Sequence, residues 1–157
     1  MAKIVVLGAG VCGVAAGMML RRDGHEVTVL ERDASAVPES AEDAWERWPR
    51  EGVAQFRLPH LLLARGRLVL EEELPDVYGA FEEAGATRFD WVASMPPSIT
   101  DRAPREVDER LWTLTARRPV LEQVLAQAAE AEPGLDIRRG VSVRERSASI
   151  WTNPGDS

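Results

Sequence analysis

Three glycines, Gly8, Gly10 and Gly13, follow the apolar run Lys3-Ile4-Val5-Val6-Leu7 and precede a helical stretch. That stretch leads to a second apolar run, His25-Glu26-Val27-Thr28-Val29-Leu30, which ends in Glu31-Arg32. No other feature restricts the fold of this chain as much, because each glycine answers a separate steric demand. Gly8 permits a tight turn out of a strand, Gly10 lets the backbone approach a ligand closely, and Gly13 lets a helix lie tight on a sheet. The segment therefore predicts a strand, a turn, a helix and a second strand, in an α/β fold with a parallel sheet.

The same pattern carries a binding chemistry. A helix that starts at Val11 and Cys12 has free N–H groups and the positive end of its dipole at the glycine turn, which suits a pyrophosphate. Glu31 lies about 20 residues beyond the glycines, where an acid accepts hydrogen bonds from an adenosine ribose. The reading is a Rossmann-like site for FAD or NAD. Gly17 adds a fourth glycine on the Gly13 face of the helix; a mid-helix glycine costs about 1 kcal/mol relative to alanine, so close packing is expected there.

The 157 residues suffice for one domain with a real core. A formal charge of −7 argues against nucleic acid as a partner. The arginine pairs 21–22, 117–118 and 138–139 are expected on solvated faces. The single cysteine excludes an internal disulfide and a cysteine-based zinc cage, and no metal site is expected. Cys12 is expected as a small buried side chain within the turn. The apolar start of the chain is read as a strand buried on both faces, not as a membrane span or leader, so a cytoplasmic protein with its N-terminus retained is expected.

Further along, residues 34–55 form a long polar excursion with a short helical segment at 41–48. Apolar spacing from His60 to Leu70 predicts a helix closed by Glu71-Glu72-Glu73, and Pro75 opens another over Asp76–Ala84 that stops at Gly85. Short strands are expected at Phe89–Ser94 and Leu111–Leu114, with connection over Ile99–Arg110. A helix is expected from Pro119 to Ala131, then a strand over Leu135–Val143.

The glycine unit, the stretch Gln55-Phe56-Arg57-Leu58-Pro59-His60 with Leu62-Leu63-Ala64-Arg65-Gly66, and Arg118-Pro119-Val120-Leu121-Glu122 occur in a telling order. Together, over residues 1–145, they resemble the FAD-dependent aromatic-hydroxylase-type monooxygenases and their oxidoreductase relatives, as does the four-glycine spacing. The resemblance implies an FAD-binding domain in which Gly8, Gly10 and Gly13, with the amides of Val11 and Cys12, cradle the pyrophosphate. It implies that Glu31 holds the adenosine ribose, with Arg32 beside it. It also implies that Arg118 approaches the phosphate and ribityl region, and that Val143 is a strand residue near the adenine. A cation at a helix N-terminus calls for a nearby anion, which supports the reading of Arg118. The activity implied is oxygen insertion into a small organic substrate, with NAD(P)H as electron donor.

No catalytic residue is assigned. His60 is expected to pack near the sheet at a helix start, and Trp45, Trp48, Trp91 and Trp112 suit a pocket or the core equally. The family's second glycine-aspartate motif and its substrate-covering sheet domain are not found in the sequence, and residues 146–157 match nothing expected there. The expectation is an incomplete domain over residues 1–145 with a disordered tail over 146–157, from a truncated or frame-shifted product with exposed apolar surface. Two alternatives stand beside it. One is an NAD-dependent dehydrogenase domain, and the other a non-catalytic dinucleotide-binding module whose FAD site a partner chain completes.

Overall fold

A computed structural model describes residues 1–103 and 105–144, so the expectation for residues 146–157 lies outside the described residues. Strand β1 (Lys3–Leu7), helix α1 (Val11–Arg22) and strand β2 (Glu26–Glu31) form the expected unit. The strands are parallel and in register, from Lys3 opposite Glu26 to Leu7 opposite Leu30. Strand β6 (Leu135–Arg139) lies parallel to β2 on its other side, giving the order β1-β2-β6. Gly17 has the expected packing role: a Cβ there would stand 3.0 Å from Val29 Cγ2 and 3.5 Å from a Leu135 methyl.

The remaining elements are helix α2 (Ala41–Arg47), strand β3 (Pro59–Leu62), helices α3 (Ala64–Glu73) and α4 (Pro75–Glu83), strand β4 (Thr87–Phe89), strand β5 (Thr113–Arg117) and helix α5 (Arg118–Ala131). β5 is the middle strand of a second, antiparallel sheet, β3-β5-β4. The core gathers Val14 and Met18 of α1, Val29 of β2, Val77 and Phe81 of α4, Leu114 of β5, and Leu121 and Leu125 of α5. Burying a side chain of this kind contributes roughly 1.5–3 kcal/mol, which is why the helix stripes define the fold. A smaller cluster of Ala44, Trp48, Phe56 and Ala126 fastens α2 to α5, with Trp48 and Phe56 edge to face at 5.8 Å. Among the described residues, no helix is long and apolar enough to cross a membrane.

Several expectations need correction. β1 is an edge strand and not buried on both faces; Val5 is 60% and Leu7 53% exposed on the side away from α1. The stretch read as one helix from His60 is a short strand followed by α3, because Pro59–Leu62 pairs with Leu114–Arg117, and Glu71–Glu73 belong to α3. The strand expected at Phe89–Ser94 is Thr87–Phe89, and Asp90 then caps a turn by accepting the N–H groups of Val92 and Ala93. The strand near Leu111–Leu114 is shifted to Thr113–Arg117, and a short 3-10 segment, Glu106–Arg110, interrupts the connection before it. The last strand stops at Arg139, where Gly140 takes φ of +75°. The solvated reading of the arginine pairs holds for Arg138, whereas Arg118 and Arg139 are largely enclosed.

The C-terminal ends of α1 and α5 and the first turn of α4 are tied by one guanidinium. Arg22 donates twice to Asp76, at 2.8 Å each, and to Glu132 at 2.7 Å. Its hydrogen bonds hold the Asp76 carboxyl down at about 2. A carboxyl lowered on folding stabilises the protein fully above its unfolded value of 3.8, and that contribution is lost as pH falls through about 2. Asp76→Asn should therefore flatten the fall in melting temperature across this acid window and lower the melting temperature at neutral pH. Thermal unfolding at stepped pH checks this; a variant with the parent's acid profile would remove Asp76 from the account.

Candidate functional site

The site is built at the carboxyl end of the parallel sheet, where ligands of open α/β folds bind. α1 runs back antiparallel to the strands it connects. The C-termini of α1 and α5 meet through Arg22 and Glu132, so both helices place their N-termini at this end. Gly8, at φ of +97°, makes the turn, and its N–H bonds the Leu30 carbonyl at 2.8 Å. Gly13 is sterically fixed, because a Cβ there would lie 1.9 Å from the Gly8 carbonyl oxygen.

Gly10 is different in kind. Its φ of −77° and ψ of 178° suit any residue, and a Cβ placed there would meet nothing within 4 Å. Neither conformation nor packing within the chain calls for glycine at this position. Space kept clear of side chain before a helix N-terminus fits the close approach of a ligand backbone or diphosphate. The first intrahelical bond runs from the Val14 N–H to the Gly10 carbonyl, so the amides of Val11, Cys12 and Gly13 precede the helical ladder. Cys12 is exposed, which corrects the buried role expected for it.

The β1–β2 register sets Glu31 just past the last strand pair, beside the turn. Its carboxylate accepts the Ala9 N–H at 2.6 Å through Oε2 and the Asp33 N–H at 2.8 Å through Oε1. A carboxylate offers about four acceptor positions, so two remain for hydroxyl donors such as those of a ribose. Glu31 lines a cavity of about 580 Å³ together with Gly10, Arg32, Asp33, Arg50 and Gly52. A larger groove, lined by Val37, Gln123, Gln127 and Arg139 among others, lies between the 36–41 segment, α4 and α5 and contains none of the glycine-turn residues.

The cavity wall is charged and tightly paired. Burial pushes the Asp33 carboxyl up, but hydrogen bonds from the Ser35 hydroxyl and amide, and the Arg50 guanidinium, outweigh it and hold it low. Arg50 also donates through Nε to Glu122 at 3.0 Å and lies 4.8 Å over the Trp48 ring. Arg118, the first residue of α5, donates through Nε to Glu122 at 2.6 Å. The anion demanded by a cation at this helix N-terminus is thus supplied within the chain. Sequence reasoning missed Arg50 and Asp33 as wall residues; nothing in the polar 34–55 excursion marks which of its arginines folds inward.

Val143 lies beyond β6 in no regular element and is half-exposed, outside the lining of the cavity. His60 is on β3 rather than at a helix start; burial and the nearby Arg118 lower its pKa, against the opposing charge of Glu122. The four tryptophans are not part of the cavity lining. Trp48 is core, Trp45 lies under Arg117, Trp112 lies under Arg67 and Arg88, and Trp91 is partly exposed.

Residues 3–50, the turn and both strands included, match the family profile described as pyridine nucleotide-disulphide oxidoreductase. Among solved structures, PqsL of P. aeruginosa superposes with a TM-score of 0.60 at 16% identity, over 95% of this chain and 37% of that one. The chain has the fold of part of PqsL, a protein described as a probable FAD-dependent monooxygenase. A 2-methyl-3-hydroxypyridine-5-carboxylic acid oxygenase superposes with a TM-score of 0.54 at 19% identity, over 88% of this chain and 31% of that one. By sequence, the D-amino acid dehydrogenase of Methylobacterium nodulans is 31% identical over 139 residues, which is 82% of this chain and 30% of that protein. The D-amino acid dehydrogenase 2 of Mesorhizobium japonicum is 67% identical over 33 residues, 21% of this chain and 8% of its own length. The chain thus spans about 30% of the length of the first of these curated relatives.

The two glycines give opposite predictions. Gly10→Ala should cost less than about 1 kcal/mol, the scale of a helix N-cap change, yet weaken ADP binding at least about tenfold by filling the cradle, since 1.4 kcal/mol is tenfold. Gly13→Ala should unfold or grossly destabilise the domain. Thermal melts and ADP titration of both variants check this; a stable Gly13→Ala, or a Gly10→Ala that binds like the parent, would contradict the assignment.

Proposed function

We propose that this chain is the FAD-binding part of a flavin-dependent oxidoreductase. The observation that carries the reading is the cleared space at Gly10, facing a helix N-terminus and flanked by a Glu31 carboxylate with acceptor positions to spare. The profile match and the neighbours described as a flavoprotein and a probable FAD-dependent monooxygenase support FAD as the dinucleotide. Gly8, Gly10 and Gly13 with the amides of Val11 and Cys12 hold the pyrophosphate, Glu31 and Arg32 the adenosine ribose, and Arg118 the phosphate side. Val143, off the strand, is the weakest member of the proposed set. A bound flavin supplies the electron-transfer chemistry, and the protein supplies its position and electrostatics.

Two activities are proposed for the complete enzyme. The first is monooxygenation of a small organic substrate with NAD(P)H as electron donor, supported by the oxygenase among the structural neighbours. The second is dehydrogenation of an amino acid, supported by the sequence relatives. Either activity needs a substrate-covering portion from further sequence or from a partner chain, and cytoplasmic residence is part of the same proposal.

The test is a visible absorption spectrum of the purified chain after incubation with FAD and removal of the excess. A retained, perturbed flavin band is expected, with no NAD(P)H oxidation and no D-amino acid oxidation by the chain alone. A folded but colourless protein would overturn the self-sufficient site, and preferential retention of NAD would favour the dehydrogenase alternative.

A further inference from the structure

Glu122 is nearly fully enclosed, at 2% side-chain exposure, on a helix face whose neighbours Leu121, Val124, Leu125 and Ala126 are buried apolar residues. Stability alone does not favour a carboxylate there, because burying a charge pair often gains less than burying apolar groups of similar volume. The carboxylate grips two guanidiniums in the same way. Arg118 reaches Oε1 and Arg50 reaches Oε2, each through Nε. Arg50 continues through Nη1 to Asp33, whose own N–H bonds Glu31, which in turn holds the Ala9 N–H. One line of hydrogen bonds thus runs from the glycine turn to the N-terminus of α5.

A guanidinium has five N–H donors in a rigid fork, and a grip on Nε uses only one of them. The terminal amino groups of Arg118 keep the paired geometry that matches phosphate oxygens. We infer that Glu122 is a positioning residue for a diphosphate ligand, holding Arg118 and Arg50 side-on so that Arg118 keeps its terminal amino groups for the phosphates. The inference rests on the dinucleotide reading above and extends it to two residues of α5, Arg118 and Glu122, that lie outside the cavity lining. Asp33 and Glu122 together balance the charge of the two arginines they hold.

The test compares the full chain with Glu122→Gln and Arg118→Lys, using ADP and adenosine as calorimetric probes and ¹⁵N-arginine labelling to follow the Nε–H signals. Rigid Nε–H signals are expected for Arg50 and Arg118 in the parent, lost or mobile in Glu122→Gln. Both variants should bind ADP about tenfold more weakly, the scale of one charge-assisted hydrogen bond, and adenosine within about twofold of the parent. Arg118→Lys keeps the charge but has no Nε–H to grip, so it tests the geometry even if Glu122→Gln folds poorly. Equal losses for ADP and adenosine, or no loss for either, would overturn the positioning role and leave the dinucleotide reading standing. A parent chain that binds neither probe would overturn the dinucleotide reading, and this inference with it.

Discussion

The contact between Gly13 and the Gly8 carbonyl decides the geometry of everything around it. With no Cβ at residue 13, α1 can begin against the end of β1 instead of standing off from it. That approach fixes the helix direction, aims the amides of its first turn at the carboxyl end of the sheet, and brings Gly17 against Val29 one turn later. The β1–β2 register then has only one way to place Glu31, beside Ala9. A glycine held by packing and another held by nothing in the protein stand three residues apart, and the proposed binding role rests on the second.

Much of this was legible in the sequence because it is local. The strand, turn, helix and second strand lie within Lys3 to Glu31, and each glycine has a steric reason that spacing alone reveals. α5 was legible for a similar reason, with Pro119 in its first turn and Pro133-Gly134 after its end. The second sheet was not, because His60-Leu61-Leu62 carries an apolar pattern that suits helix or strand, and only pairing with Leu114–Ala116 decides between them. The openness of β1 was missed for another reason. An unbroken apolar run tells nothing of whether its second face is covered.

The wall of the cavity was the least legible part. Arg50 and Asp33 become wall residues through partners on other elements, and nothing in the sequence marks the Glu122 carboxylate as enclosed. What distinguishes it is burial among apolar neighbours, a property of the fold and not of the residue. Charge pairing with Glu122 also explains how Arg118 is accommodated at a helix N-terminus, where the dipole opposes it.

The parallel sheet has a consequence for the order of assembly. β1 and β2 are near neighbours in sequence, but β6 reaches β2 across a separation of 108 residues at Thr28 and Asp136. Closing so long a loop is entropically costly before its contacts form, though the cost grows only slowly with length. The glycine turn can therefore take shape while the chain is still emerging, whereas the wall held by α5 must wait for nearly all of the described residues. A long-range topology of this kind folds slowly, and until it closes the apolar faces of β2 and α1 remain open to other chains.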